Sequence, residues 1–276
     1  MGSGLCCSPH RDANAVRPFV EICDSPGDRI SSIIRQSAAR AIERRGSFCL
    51  ATAGGWPVKE LGPLTEIKAD WDKWHMVWAD EQCVPHSSQD SNYGCAREVW
   101  LSQVPIPQEQ VYAINDALCV GGDSSALTVG EVVALEYEGR LRSIPEEVLP
   151  RHPGSGLPVF DLLLLDLGRD GSICSLFPGH PLLDDGSDRW VLPLSDSPAP
   201  PFERVTLSMP VLNSAEQVLM VAIGDSKKEA VQKALVPGSD LPCAMACGAS
   251  PVSNRPVWVL DEAAASLLSK EHLLGW

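Results

Sequence analysis

The sequence predicts an α/β fold: a doubly wound, mostly parallel sheet with helices on both faces. Three observations predict it. Short apolar runs alternate with segments of helical period along nearly the whole chain. The run FDLLLLDLG, residues 160–168, is apolar on both alternating faces, as a central parallel strand reads. The stretch SFCLATAGG, residues 47–55, leads an apolar strand into a glycine pair, a junction that brings backbone N–H groups up to an anion.

The elements follow in order. Residues 1–17 read as a disordered leader, and residues 18–276 as a single domain. Ser31 to Arg45 is a helix: Ile33, Ile34, Ala38, Ala41 and Ile42 recur on one face, arginines fill the other, and Gly46 stops it. Phe48 to Ala51 is a strand. Residues 75–81, HMVWADE, form a second strand, with Trp71, Trp74 and Trp78 packing around it and Asp80-Glu81 at its carboxyl end. Acidic residues there sit where open α/β sheets bind ligands. Helices are expected over 94–102 and 124–143, then a surface loop at PRHPGSGLP and the central strand at 160–168. A proline-rich loop, residues 195–203, precedes strands at 204–212, 218–224 and 256–261. Helices are expected from Ser226 to Leu235 and from Asp261 to Glu271.

The 276 residues are 44% hydrophobic, enough for a full core without disulfides or metals. The net charge of -14 repels phosphate backbones, so nucleic acid is excluded as a partner, while a small anionic metabolite is not. The ten cysteines are scattered, with no zinc-type pairing to histidines, and read as reduced packing residues. Asp80, Asp166 and Asp170 lack metal-site spacing and read as caps or loop charges. The start, MGSGLCCS, offers Gly2 for myristoylation and Cys6 and Cys7 for palmitoylation, two signals that together would tether the chain to a membrane. The usual motif has Ser or Thr where Cys6 stands, and a plain leader is the alternative.

Four segments carry a resemblance to a known family. They are DEQCVP (80–85) with DSNY (90–93); FDLLLLDLGRDGSICSLFPGHPLL (160–183); SDSPAPPFERVTLSMPVLN (195–213); and VWVLDEAAA (257–265). Together they resemble the 6-phosphogluconolactonases, and SLFPGHPLL is similar to the lactonase branch rather than to the related amino-sugar-phosphate isomerases. The middle of the chain resembles plant or green-algal members. The resemblance implies a Rossmann-like domain in the cytoplasm or a plastid. It implies hydrolysis of 6-phosphogluconolactone in the pentose phosphate pathway, with no cofactor.

Lactone opening needs an activated water, stabilisation of negative charge on the carbonyl oxygen, and a proton for the leaving ring oxygen. The family's Asp-Gly-His segment supplies an imidazole; here Asp170-Gly171-Ser172 places a hydroxyl at that position. Gln82 stands where the family has arginine, Asp166 where it has glycine, and Trp56 follows the glycine pair where it has serine. Asp80, Glu81 and Asp170 match family positions in the catalytic segments. Gly54, Gly55, Arg204 and Lys227 match a phosphate cradle. His180 matches a histidine that the family carries beside the proton-transfer one. The expectation is therefore a lactonase-derived protein with weak or lost activity. The alternatives are a working lactonase with a recruited base, His180 or Asp170, and a non-catalytic sugar-phosphate-binding or scaffold protein.

Overall fold

The computed structural model describes residues 17–120, 127–246 and 255–269. Seven parallel strands form the main sheet, in the order β1-β10-β9-β6-β2-β3-β5. They are β1 (Phe19–Ile22), β2 (Phe48–Thr52), β3 (Trp74–Trp78), β5 (Val111–Tyr112), β6 (Leu162–Asp166), β9 (Val218–Ala222) and β10 (Val257–Leu260). Three further strands, β4 (Asp80–Gln82), β7 (Val191–Leu194) and β8 (Arg204–Leu207), make a small antiparallel sheet in the order β4-β8-β7.

The two-residue strand period explains the layering. Along β2, Cys49 and Ala51 face one core cluster, while Phe48 and Leu50 face the other. Leu163 and Leu165 of β6 share the first face, and Leu162 and Leu164 the second. Helix α1 (Pro26–Arg45) covers the second face with Ile30, Ile33 and Ile34. The four-residue α2 (Trp56–Lys59) and α3 (Asn92–Val99) lie on the same side. Helix α4 (Val129–Arg142) covers the first face with Val133, Ala134, Tyr137 and Leu141. The short α5 (Met209–Ser214), α6 (Lys228–Ala234) and α7 (Pro242–Met245) also pack there. The chain leaves β2 toward β3 on one side and leaves β6 toward β9 on the other, so the strand order reverses between β2 and β6. That switch point opens a crevice at the carboxyl ends of the two strands.

Several sequence expectations are corrected. The strand expected over 75–81 is two strands in different sheets: β3 ends at Trp78, and β4 pairs antiparallel with β8. The strand expected over 204–212 ends at Leu207, because Pro210 suits the first turn of a helix and α5 begins at Met209. The helix expected from 124 begins at Val129, where Thr128 and Glu131 form a reciprocal capping box. The segment after β10 forms successive turns over 262–267 rather than the expected helix. Helix α1 begins five residues earlier than expected, at Pro26, and β1, β5 and β7 carried too short a pattern to be read. The proposed acylation positions Gly2, Cys6 and Cys7, and all but Arg17 of the expected leader, lie outside the described residues. The described cysteines are free thiols. No helix among the described residues is long and apolar enough to cross a membrane.

Candidate functional site

A cleft of about 160 Å³ sits at the switch point. Gly54 and Gly55 after β2, Asp80 of β4, Asp166 at the end of β6, Ser172 and Arg204 contribute to its walls. The strand ends dictate this gathering: the parallel neighbours β2 and β6 end side by side at the switch point, and β4 brings Asp80 and Gln82 in from the small sheet.

Asp80 is only 5% exposed. Its Oδ2 accepts from Ser175 Oγ at 3.0 Å, and its backbone carbonyl accepts from Asn92 Nδ2 at 2.9 Å. Burial pushes its carboxyl up to about 6, opposed by the Ser175 bond and the Arg204 charge. Glu81 is placed differently. It is 1% exposed and accepts from Asn92 N at 2.7 Å, Tyr93 N at 2.8 Å, Gln82 N at 2.9 Å and Ser91 Oγ at 3.2 Å. Those donors include the first turn of α3, so Glu81 anchors that helix and does not line the cleft. This residue, expected among the catalytic segments, thus lies against the start of α3 and outside the cleft lining. Burial pushes its carboxyl up to about 8 against those N–H donors.

Ser172 is 8% exposed, and its hydroxyl donates to Asp170 Oδ1 at 2.6 Å. The same oxygen accepts from Ser172 N at 3.0 Å. Gly171 holds the turn at φ +88°, in the left-handed region that favours glycine. Asp170 therefore shapes the turn from its exposed side. His180 is also committed: Nε2 lies 3.2 Å from Asp196 Oδ1, and Nδ1 accepts from Leu182 N at 3.2 Å, capping a 3-10 turn at Pro181–Asp184. Among the described residues lining the cleft there is no histidine.

Arg204 lines the cleft, half-buried, with Nε donating to Pro201 O and Nη2 to Ala199 O, each at 2.9 Å. Burial pulls its guanidinium pKa down, opposed by Asp80 and Asp90. Gln82 also lines the cleft; with its amide oriented by its surroundings, the side-chain nitrogen donates to Asp90 O at 2.9 Å and Glu81 Oε1 at 3.1 Å. The Trp56 ring packs against the second core cluster and does not line the cleft. Lys227, expected at the phosphate, donates to Leu167 O and holds its ammonium 3.6 Å from Asp166 Oδ1. Asp166 is desolvated, which raises its carboxyl pKa, and Lys227 opposes the rise.

Sequence reasoning missed Asn92 and Cys174, which also line the cleft. Cys174 is a non-glycine residue at φ 51°, and burial pushes its thiol pKa well up. Nothing in SICS signals that backbone conformation. Asn92 is bound to Asp80 across twelve positions of chain, a closure that no local pattern encodes. Among the described residues, no group of three or more His, Cys, Asp or Glu could hold a metal ion.

The family described as glucosamine-6-phosphate isomerases/6-phosphogluconolactonase matches residues 26–258. The chain belongs to that family. Its similarity to 6-phosphogluconolactonase 3, chloroplastic, of Arabidopsis thaliana is 41% identity over 231 residues, 82% of this chain and 67% of the relative. With the probable 6-phosphogluconolactonase 2 of Oryza sativa subsp. indica it shares 37% over 271 residues, 94% and 91% of the two chains. The solved structure of 6-phosphogluconolactonase from Trypanosoma brucei superposes with a TM-score of 0.75 at 26% identity, covering 92% of this chain and all of that one (100%). The chain is thus 6-phosphogluconolactonase-like in sequence and in fold, with plant-like relatives. Ser172 lies on the wall of the crevice between β2 and β6, where open α/β sheets bind ligands.

Proposed function

We propose that this chain is a 6-phosphogluconolactonase-like protein that binds a sugar acid or lactone in the β2/β6 cleft and opens the lactone only weakly. The observation that carries the reading is the Ser172 hydroxyl, donated to Asp170 Oδ1 at 2.6 Å where the family resemblance calls for an imidazole. A hydroxyl has no useful basicity near neutral pH, and this one is held by a carboxylate. Loss of a positioned general base costs ~10²–10⁴-fold in rate. His180 and Asp170, the two substitutes considered from sequence, are engaged in the turns they stabilise. The chloroplastic names of several relatives support a plastid.

A second reading rests on Asp80, whose carboxyl faces the cleft with its pKa pushed up to about 6. A carboxylate of that basicity is matched to activating water, so a working lactonase would use it as base. Coupled assays on freshly prepared 6-phosphogluconolactone and gluconolactone, corrected for spontaneous opening, separate the readings. The first gives a small excess over the spontaneous rate. The second gives a rate comparable to an active family member, with an acid limb near the Asp80 pKa that disappears in Asp80→Asn.

A further inference from the structure

The end of the cleft built for an anion already contains one. Strand β2 runs into Gly54-Gly55 and the start of α2, a backbone arrangement whose N–H groups suit an anionic oxygen. The Asp166 carboxylate occupies that place. Its Oδ2 accepts from Trp56 N at 3.4 Å, and Lys227 Nζ lies 3.6 Å from its Oδ1. The fit against the glycine pair is close: a Cβ on Gly55, which sits at φ +88°, would lie 2.3 Å from Asp166 Oδ2. Lys227 also donates to Leu167 O, so its charge is turned toward the end of β6 and the residue does not line the cleft.

We propose that Asp166 is a specificity-determining residue that fills the phosphate end of the cleft, so that the site takes a sugar acid or lactone without a phosphate. The proposal rests on the reading of the cleft as a sugar-acid site given above. Asp166 acts twice. It takes up the N–H donor and the cation that a phosphate would use, and its charge repels a second anion a few ångströms away. Arg204 also lines the cleft and offers its cation to a carboxylate or to hydroxyl groups.

Calorimetric titration of the full chain with gluconate and with 6-phosphogluconate tests this, using wild type, Asp166→Gly and Asp166→Asn. Asn keeps the side-chain volume and removes the charge, so it covers the case in which Gly disturbs the end of β6. The proposal expects wild type to bind gluconate at least as well as its phosphorylated counterpart. It expects both variants to gain about tenfold or more for 6-phosphogluconate and less than about threefold for gluconate. Wild type preferring 6-phosphogluconate by about tenfold, with no gain in either variant, overturns it and leaves the sugar-acid cleft standing. If no folded chain of the three binds either acid, the reading of the cleft itself fails, and this proposal with it.

Discussion

The Ser172 hydroxyl and the Asp170 carboxylate form a closed pair, Oγ to Oδ1 at 2.6 Å, with the Ser172 backbone N–H on the same oxygen at 3.0 Å. This is the geometry of a turn stabilised by its own side chains. Ser172→Ala should therefore cost about 1 kcal/mol of stability through the lost bond. Residual lactone hydrolysis should stay within about twofold of wild type, because the hydroxyl transfers no proton. Chemical denaturation and a lactonase assay on the same preparation check both halves; a large fall in rate at unchanged stability would give the hydroxyl a chemical role.

Glu81 holds the first turn of α3 through Asn92 N and Tyr93 N. Glu81→Ala strands those buried N–H donors and should destabilise the protein by about 2–4 kcal/mol. The loss should appear as a lower denaturation midpoint in wild type-like buffer. A variant as stable as wild type would show that the donors find other partners.

Asp80 gives a pH signature. Its folded pKa, about 6, lies above the ordinary carboxylate value because it is buried. The protonated form is thus favoured by folding, so its contribution is fully present below the unfolded pKa, near 4, and is lost as pH rises through 6. Between pH 4 and 7, wild type should lose about 2–3 kcal/mol relative to Asp80→Asn. Parallel stability profiles for the two proteins across that window would show that Asp80 titrates normally.

Gly54 is required by Asn92. A Cβ at Gly54 would lie 1.8 Å from Asn92 Oδ1, and Asn92 is held by its bond to Asp80 O. Gly54→Ala should destabilise by about 1–3 kcal/mol through overpacking. Adding Asn92→Ala should recover part of the loss, a coupling that a double-mutant cycle measures directly.

The legible parts of this fold were the ones with a local signature. The β6 run needs no partner to be read, since both faces of a central strand are apolar, and the β2-to-glycine junction marks the cleft by local sequence alone. The break between β3 and β4 was not legible, because Ala79 is no breaker and only pairing with β8 sends Asp80–Gln82 into another sheet. The turn from Leu207 into α5 was signalled by Ser208 and Pro210 but outweighed by the β-branched run before them. In the site, Asp80, Gly54, Gly55, Asp166, Ser172, Gln82 and Arg204 were brought to one cleft as their segments implied. Glu81 and Lys227 lie outside the cleft lining, because sequence shows a charge and not the direction in which its side chain turns. Glu81 turns into the N-terminus of α3, and Lys227 toward Leu167 and Asp166.

Restoring the imidazole tests the central claim most directly. Ser172→His, alone and with Gln82→Arg and Asp166→Gly, should raise kcat/KM for 6-phosphogluconolactone by about 10²-fold or more over wild type. The gain should carry a limb in the pH–rate profile in the range where a histidine titrates. A wild-type rate already equal to that of an active lactonase assayed alongside, with no gain from either variant, would contradict the account.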